Sequence, residues 1–63
     1  MDNGGYKVGQ KVETISDKHT VDGTLYKGEI VTIESIGFPD KDMRVKDTIG
    51  RIWYLNFGDV SKI

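Results

Sequence analysis

The sequence predicts an all-β domain, a small barrel of five short strands with one long early loop. Three observations lead there. Glycines at 4, 5, 9, 23, 28, 37, 50 and 58, with Pro39, cut the chain into short segments. Most segments are rich in Val, Ile, Thr, Trp and Tyr, which fit a pleated, half-buried surface. No stretch long enough for a helix keeps apolar residues at helical spacing.

The elements follow in order. Residues 1–5 read as a flexible tail and residues 6–63 as one domain. Tyr6 to Gly9 is an entry segment that leads into a first strand over Gln10 to Ser16. Asp17 to Thr24 carries turn formers and reads as the long loop. Glu29 to Ile36 is the clearest strand, with Val31 and Ile33 alternating against Thr32 and Glu34. Gly37 to Asp42 is a loop, because Pro39 has no N–H for a ladder. Met43 to Lys46 and Arg51 to Asn56 form a hairpin around Asp47-Thr48-Ile49-Gly50, with Gly50 suited to a left-handed position. Phe57 to Asp59 fits one 3₁₀ turn, and Val60 to Ile63 closes the domain. A small barrel leaves little open sheet edge.

Composition narrows the function. A chain of 63 residues makes one domain near the lower size limit for folding alone. It has no cysteine, so disulfides and thiolate metal sites are excluded. The opening M-D-N-G-G lacks the basic start and apolar core of a signal peptide, and its glycines stand too late for myristoylation. No apolar run is long enough to span a membrane. A cytoplasmic protein is expected. Nine basic residues face ten acidic ones in alternation, without the basic excess that nucleic-acid binders usually show. The balance favours a protein partner.

The segment G-T-L-Y-K-G-E-I-V-T-I, from Gly23 to Ile33, resembles eukaryotic SH3 domains and bacterial SH3-like domains. There a Leu or Met precedes a Lys-Gly turn, and an acidic residue opens an alternating strand. D-M-R-V-K, from Asp42 to Lys46, resembles the third SH3 strand, and G-R-I-W-Y-L-N-F-G-D-V-S-K-I, from Gly50 to Ile63, resembles the last two. The likeness covers residues 10–63. K-V-G-Q-K-V, Y-K-G-E-I-V-T-I, M-R-V-K-D and W-Y-L together also resemble small SH3-like proteins encoded by bacteriophages. The resemblance implies a five-stranded SH3-like barrel with a 3₁₀ turn before the last strand. Periodicity and the family pattern place Val12, Leu25, Val31, Ile33, Val45, Leu55 and Val60 in its core.

SH3 domains bind proline-rich peptides between aromatic rings. Carried over by position, the third-strand tryptophan falls on Asp42, the proline after the fourth strand on Asn56, and the tyrosine before the last strand on Asp59. The paired tyrosines of the first strand fall on Thr14 and Ser16. All these positions lack a ring, so polyproline binding is not expected. The bacterial domains often carry a Leu-Asn-Val-Arg segment, and Ile15-Ser16-Asp17-Lys18 stands in its place. That argues against a cell-wall ligand.

The hairpin of the third and fourth strands offers an alternative surface. With Val45 and Leu55 inward, Arg44, Lys46, Ile52 and Tyr54 point outward. Tyr and Arg are enriched at interfaces. Equally, Tyr6 and Val8 would make that face a second small core by folding over Ile52 and Tyr54. Trp53 or Tyr54 is the exposed ring; a four-residue apolar run leaves both open. The candidate partner-binding residues are therefore Arg44, Lys46, Ile52, Trp53 and Tyr54, with Tyr26 on its turn. Phe38-Pro39 forms an apolar tip or packs on a neighbouring loop.

The function expected is a non-enzymatic interaction module, of phage-encoded or bacterial accessory kind, that docks on a larger protein and modulates it. The alternative is nucleic-acid binding in the manner of KOW or Tudor barrels through Lys7, Lys11, Arg44, Lys46, Arg51 and Tyr54. A weak homodimer is a third possibility beside a monomer. No cofactor, metal or membrane is called for. His19 is the lone histidine, in a loop with Asp17, Lys18 and Asp22, and reads as solvated; Ser16 lacks a base and an oxyanion site. Asp40 and Asp42 lack the twelve-residue calcium pattern.

Overall fold

In the computed structural model, which describes residues 5–21 and 23–63, the chain forms seven strands and one 3₁₀ turn. The strands are β1 (Lys11–Thr14), β2 (Lys18–Thr20), β3 (Gly23–Leu25), β4 (Ile30–Ile36), β5 (Met43–Lys46), β6 (Ile52–Leu55) and β7 (Val60–Lys62). The 3₁₀ turn is Phe57–Asp59, as expected from sequence. A five-stranded sheet runs in the order β6-β5-β4-β1-β7, and β2 pairs with β3 in a separate hairpin. Every pairing is antiparallel.

Two expectations change. The segment 17–24, read as loop, contains β2 and the start of β3: Lys18 pairs with Leu25, His19 with Thr24 and Thr20 with Gly23. Its residues lack the alternation of a half-buried strand because both faces of β2 are largely exposed. The sheet is also open, since its ladder ends at β6 on one side and β7 on the other. Of the expected tail, residues 1–4 lie outside the described residues, as does Asp22 of the expected loop.

The core sits on one face of the sheet. All seven expected core residues are buried, and Met43 and Trp53 join them. Alternation does this work: β5 buries Met43 and Val45, and β6 buries Trp53 and Leu55, while the residues between face out. Each such side chain contributes roughly 1.5–3 kcal/mol on full burial. In β4 the register shifts between Ile33 and Ser35, a bulge that leaves Glu34 exposed. Ile36 then returns to the core side opposite Met43.

Among the described residues Thr14 is the one buried polar residue, only 1% exposed. Its Oγ1 donates to the Tyr26 carbonyl at 2.7 Å and accepts from the Glu29 N–H at 3.0 Å. The Tyr26-Lys27-Gly28-Glu29 turn is thus riveted to β1. Gly28 takes φ 88° there, and its N–H donates to the Thr14 carbonyl at 2.8 Å. The Glu29 carboxylate accepts from the Tyr26 N–H at 2.9 Å, which closes the turn. Thr14, which the resemblance placed at a groove position without its ring, is a structural residue.

Candidate functional site

The β5–β6 hairpin is held at its tip by Asp47. The carboxylate accepts from the N–H groups of Ile49 (3.0 Å) and Arg51 (2.8 Å), and from the Trp53 indole N–H (3.0 Å). Gly50 supplies the positive φ of 88° that the turn requires. Desolvation works to raise the Asp47 pKa, but the Trp53 and backbone hydrogen bonds and the charge of Arg51 outweigh it and hold the carboxyl below its usual value. Asp47 therefore fixes the indole of Trp53 inside, and the fourth-strand ambiguity resolves. Trp53 is 5% exposed and Tyr54 50%. Trp53 is withdrawn from the partner-binding set, because its ring is core.

Register places the outward residues. Lys11 of β1, Thr32 of β4, Lys46 of β5 and Ile52 of β6 lie in one cross-strand row. Ser35, Arg44 and Tyr54 form the next. Four expected residues, Arg44, Lys46, Ile52 and Tyr54, thus share one face. The second-core alternative does not hold. Tyr6 stacks on Phe57 with ring centroids 5.0 Å apart and donates its hydroxyl to the Val60 carbonyl at 3.4 Å, at the other edge of the sheet. Val8 is exposed.

The residue that does meet Tyr54 is Phe38. The two rings are 5.5 Å apart, edge to face, and the Arg44 guanidinium stands 5.8 Å from the Phe38 centroid. Arg44 Nε is buried without a hydrogen-bond partner. A hollow of about 360 Å³ lined by Phe38, Pro39, Asp40, Lys41 and Tyr54 lies beside this cluster. Phe38 is 16 residues from Tyr54 in sequence, so only the fold shows that the Gly37 to Asp42 loop leans on the outer face. Its sole sequence signal was an aromatic beside Pro39.

A second, larger groove of about 760 Å³ runs between β2 and β6, lined by residues including Lys18, His19, Lys41, Ile52, Tyr54 and Asp59. Tyr54 and Lys41 border both hollows. His19 Nδ1 lies 3.1 Å from Thr24 Oγ1 across its hairpin. Asp59 pairs with Lys18 at 2.6 Å. Desolvation works to raise the Asp59 pKa, and the Lys18 hydrogen bond, the Asn56 N–H and the charges of Lys18 and Lys41 lower it further than that.

Asp42, Asn56 and Asp59 engage one another. Asp42 accepts from the Phe57 N–H (2.9 Å) and donates its own N–H to the Asn56 side chain (3.2 Å). Asn56 donates its N–H to the Asp59 carboxylate (2.9 Å). These polar groups brace the 3₁₀ turn and offer no apolar slot.

The remaining candidates are scattered. Tyr26 is exposed on the Lys27-Gly28 turn and lines neither hollow. Lys7 is exposed in the entry segment, where its N–H donates to the Gln10 side chain. Arg51, exposed just before β6, reaches Gly23 of the β2–β3 hairpin and stands apart from the row of Lys11 and Lys46. Among the described residues no three His, Asp or Glu side chains converge as metal ligands. None of the described helical segments is long and apolar enough to cross a membrane. No protein-family model, curated protein or solved structure matches the chain.

Proposed function

We propose that this protein is a non-enzymatic interaction module, an SH3-like small β fold with an open sheet and without the proline-binding groove, that docks on a larger protein and modulates it. The docking face is the outer side of β5–β6, centred on Tyr54 with Arg44, Ile52, Lys46 and Phe38. One observation carries the reading: Tyr54 is half-exposed, yet Phe38 holds its ring edge-on, and Arg44 stands over Phe38. An aromatic and an arginine fixed before binding lose little entropy on contact, which is the character of an interface hot spot. The Asp42, Asn56 and Asp59 hydrogen bonds support the separation from polyproline recognition. The resemblance to phage-encoded and bacterial small barrels fits an accessory role of this kind.

The test is a photocrosslinking residue in place of Tyr54, with a second protein carrying it in place of Val8. In cells that make the protein, a discrete adduct with one larger protein is expected from position 54 and not from position 8. Equal adducts from both positions, or none from 54, refute the face.

A second reading, nucleic-acid binding, is favoured by the row that carries Lys11 and Lys46. Against it, Glu13 lies on the same face of β1, and Lys7 and Arg51 stand elsewhere. Binding to single- or double-stranded DNA or RNA at low salt, weakening steeply as salt rises, would support it.

A further inference from the structure

The edges of the sheet differ in one respect that bears on how a partner is held. At β7, Val60 turns its backbone groups away from β1, because Ile15 N–H donates to the Asp59 carbonyl and the bonded pairs alternate from there. Both Val60 groups are satisfied: its N–H donates to the Phe57 carbonyl and its carbonyl accepts from the Tyr6 hydroxyl, so that only Lys62, at the end of β7, turns outward by the same alternation. At β6 the same alternation starts from the Asp47 N–H bonded to the Arg51 carbonyl. Trp53 and Leu55 then bond to β5, and Ile52 and Tyr54 turn their N–H and C=O groups outward. Nothing caps them. They face the groove between β6 and β2.

We infer that the free edge of β6 takes up an extended, acidic segment of a protein partner as an added strand. The inference rests on the docking reading above and names how the partner is held. A strand laid along β6 would bond to the backbone of Ile52 and Tyr54, and its side chains would alternate between two environments. On the outer side they meet Ile52 and Tyr54, which suits apolar residues. On the groove side they meet Lys18, His19 and Lys41, with Asp59 as the acid lining that groove among the described residues. Lys18 is paired with Asp59, and Lys41 forms no ion pair among the described residues. Arg44 and Lys46, likewise without ion pairs, flank the outer side. Carboxylates at alternate positions match this distribution. A second copy of this chain does not, since β6 against β6 would bring two copies of Lys41 together with no added carboxylate to meet them.

The probe is an eight-residue peptide with blocked ends that alternates Val and Glu, compared with its Val and Lys counterpart. Amide exchange is followed by NMR on the wild-type protein and on a chemically synthesised chain with an N-methyl group at the Tyr54 backbone. At saturation the acidic peptide should slow exchange at Ile52 and Tyr54 by about tenfold or more. The basic peptide should not, and the N-methylated chain should lose the effect. No binding of the acidic peptide at low salt, equal binding of both peptides, or binding without protection at Ile52 and Tyr54 overturns the inference. Protection that grows with protein concentration in the absence of peptide assigns the edge to a second copy and also overturns it. If the Tyr54 crosslink forms while edge protection fails, the docking face stands and strand addition falls.

Discussion

Replacing Thr14 with Val isolates one hydroxyl. Val keeps the branched shape and the volume, so the strand and the core around it stay filled. The hydroxyl is lost, and with it the bond to the Tyr26 carbonyl at 2.7 Å and the bond from the Glu29 N–H at 3.0 Å. Each contributes about 1 kcal/mol net, and leaving its partner unsatisfied costs more where water is excluded. Part is recovered, because the Glu29 N–H keeps a 3.3 Å bond to the Tyr26 carbonyl. A Val methyl also gains up to about 0.8 kcal/mol from burial. The net expectation is a loss of about 2 kcal/mol. For a chain of this length total stability is roughly 3–9 kcal/mol, so the change is large. Thermal unfolding should begin to show it as a fall in Tm of roughly 8–16 °C. Urea denaturation gives the free energy directly, with the buried Trp53 as the fluorescent probe. Thr14→Ser, which keeps the hydroxyl, should lose less than Val does. A Val variant within about 0.5 kcal/mol of wild type would refute the view that Thr14 rivets the turn to β1.

Met43→Ala should cost about 2–5 kcal/mol by opening a cavity in the core, enough to leave much of the protein unfolded at 37 °C; circular dichroism reads it. Acid should destabilise the fold through Asp47 and Asp59. Their folded pKa values lie below the ordinary 3.8, so their stabilisation is complete above that pH and is lost as pH falls through the lower folded values. Asp47→Asn should flatten this acid limb in denaturation curves taken below about pH 4. Proline-rich peptides should show no saturable binding by Trp53 fluorescence, since Asp42, Asn56 and Asp59 bond to one another and to the 3₁₀ turn.

The sequence carried the strands whose residues alternate. Val31 and Ile33 marked β4, and Val45 and Leu55 marked β5 and β6, because a sheet with one buried face imposes period two. The β2–β3 hairpin left no such trace, because its Lys18, His19 and Thr20 lie largely in solvent and nothing selects an apolar side. The run Ile52-Trp53-Tyr54-Leu55 was silent on which ring is buried. The deciding group is Asp47, which binds the Trp53 indole from across the turn. Of the candidate surface, Arg44, Lys46, Ile52 and Tyr54 followed from alternation alone. Phe38 did not, since its contact with Tyr54 depends on how the preceding loop folds over the sheet. The structural role of Thr14 was not legible for a related reason: a polar residue inside the core is recognised by its partners, Tyr26 and Glu29, and not by its own identity.

The central claim is that the Tyr54 face holds the partner. Its most direct measurement is quantitative capture from an extract of the native host on immobilised wild type, Tyr54→Ala, Arg44→Ala and the control Val8→Ala, each first shown to be folded by its Trp53 fluorescence. The account predicts one larger protein retained by wild type and by Val8→Ala, and reduced about tenfold or more by each of the other two, as expected for a hot spot. A protein held equally by all four would contradict it.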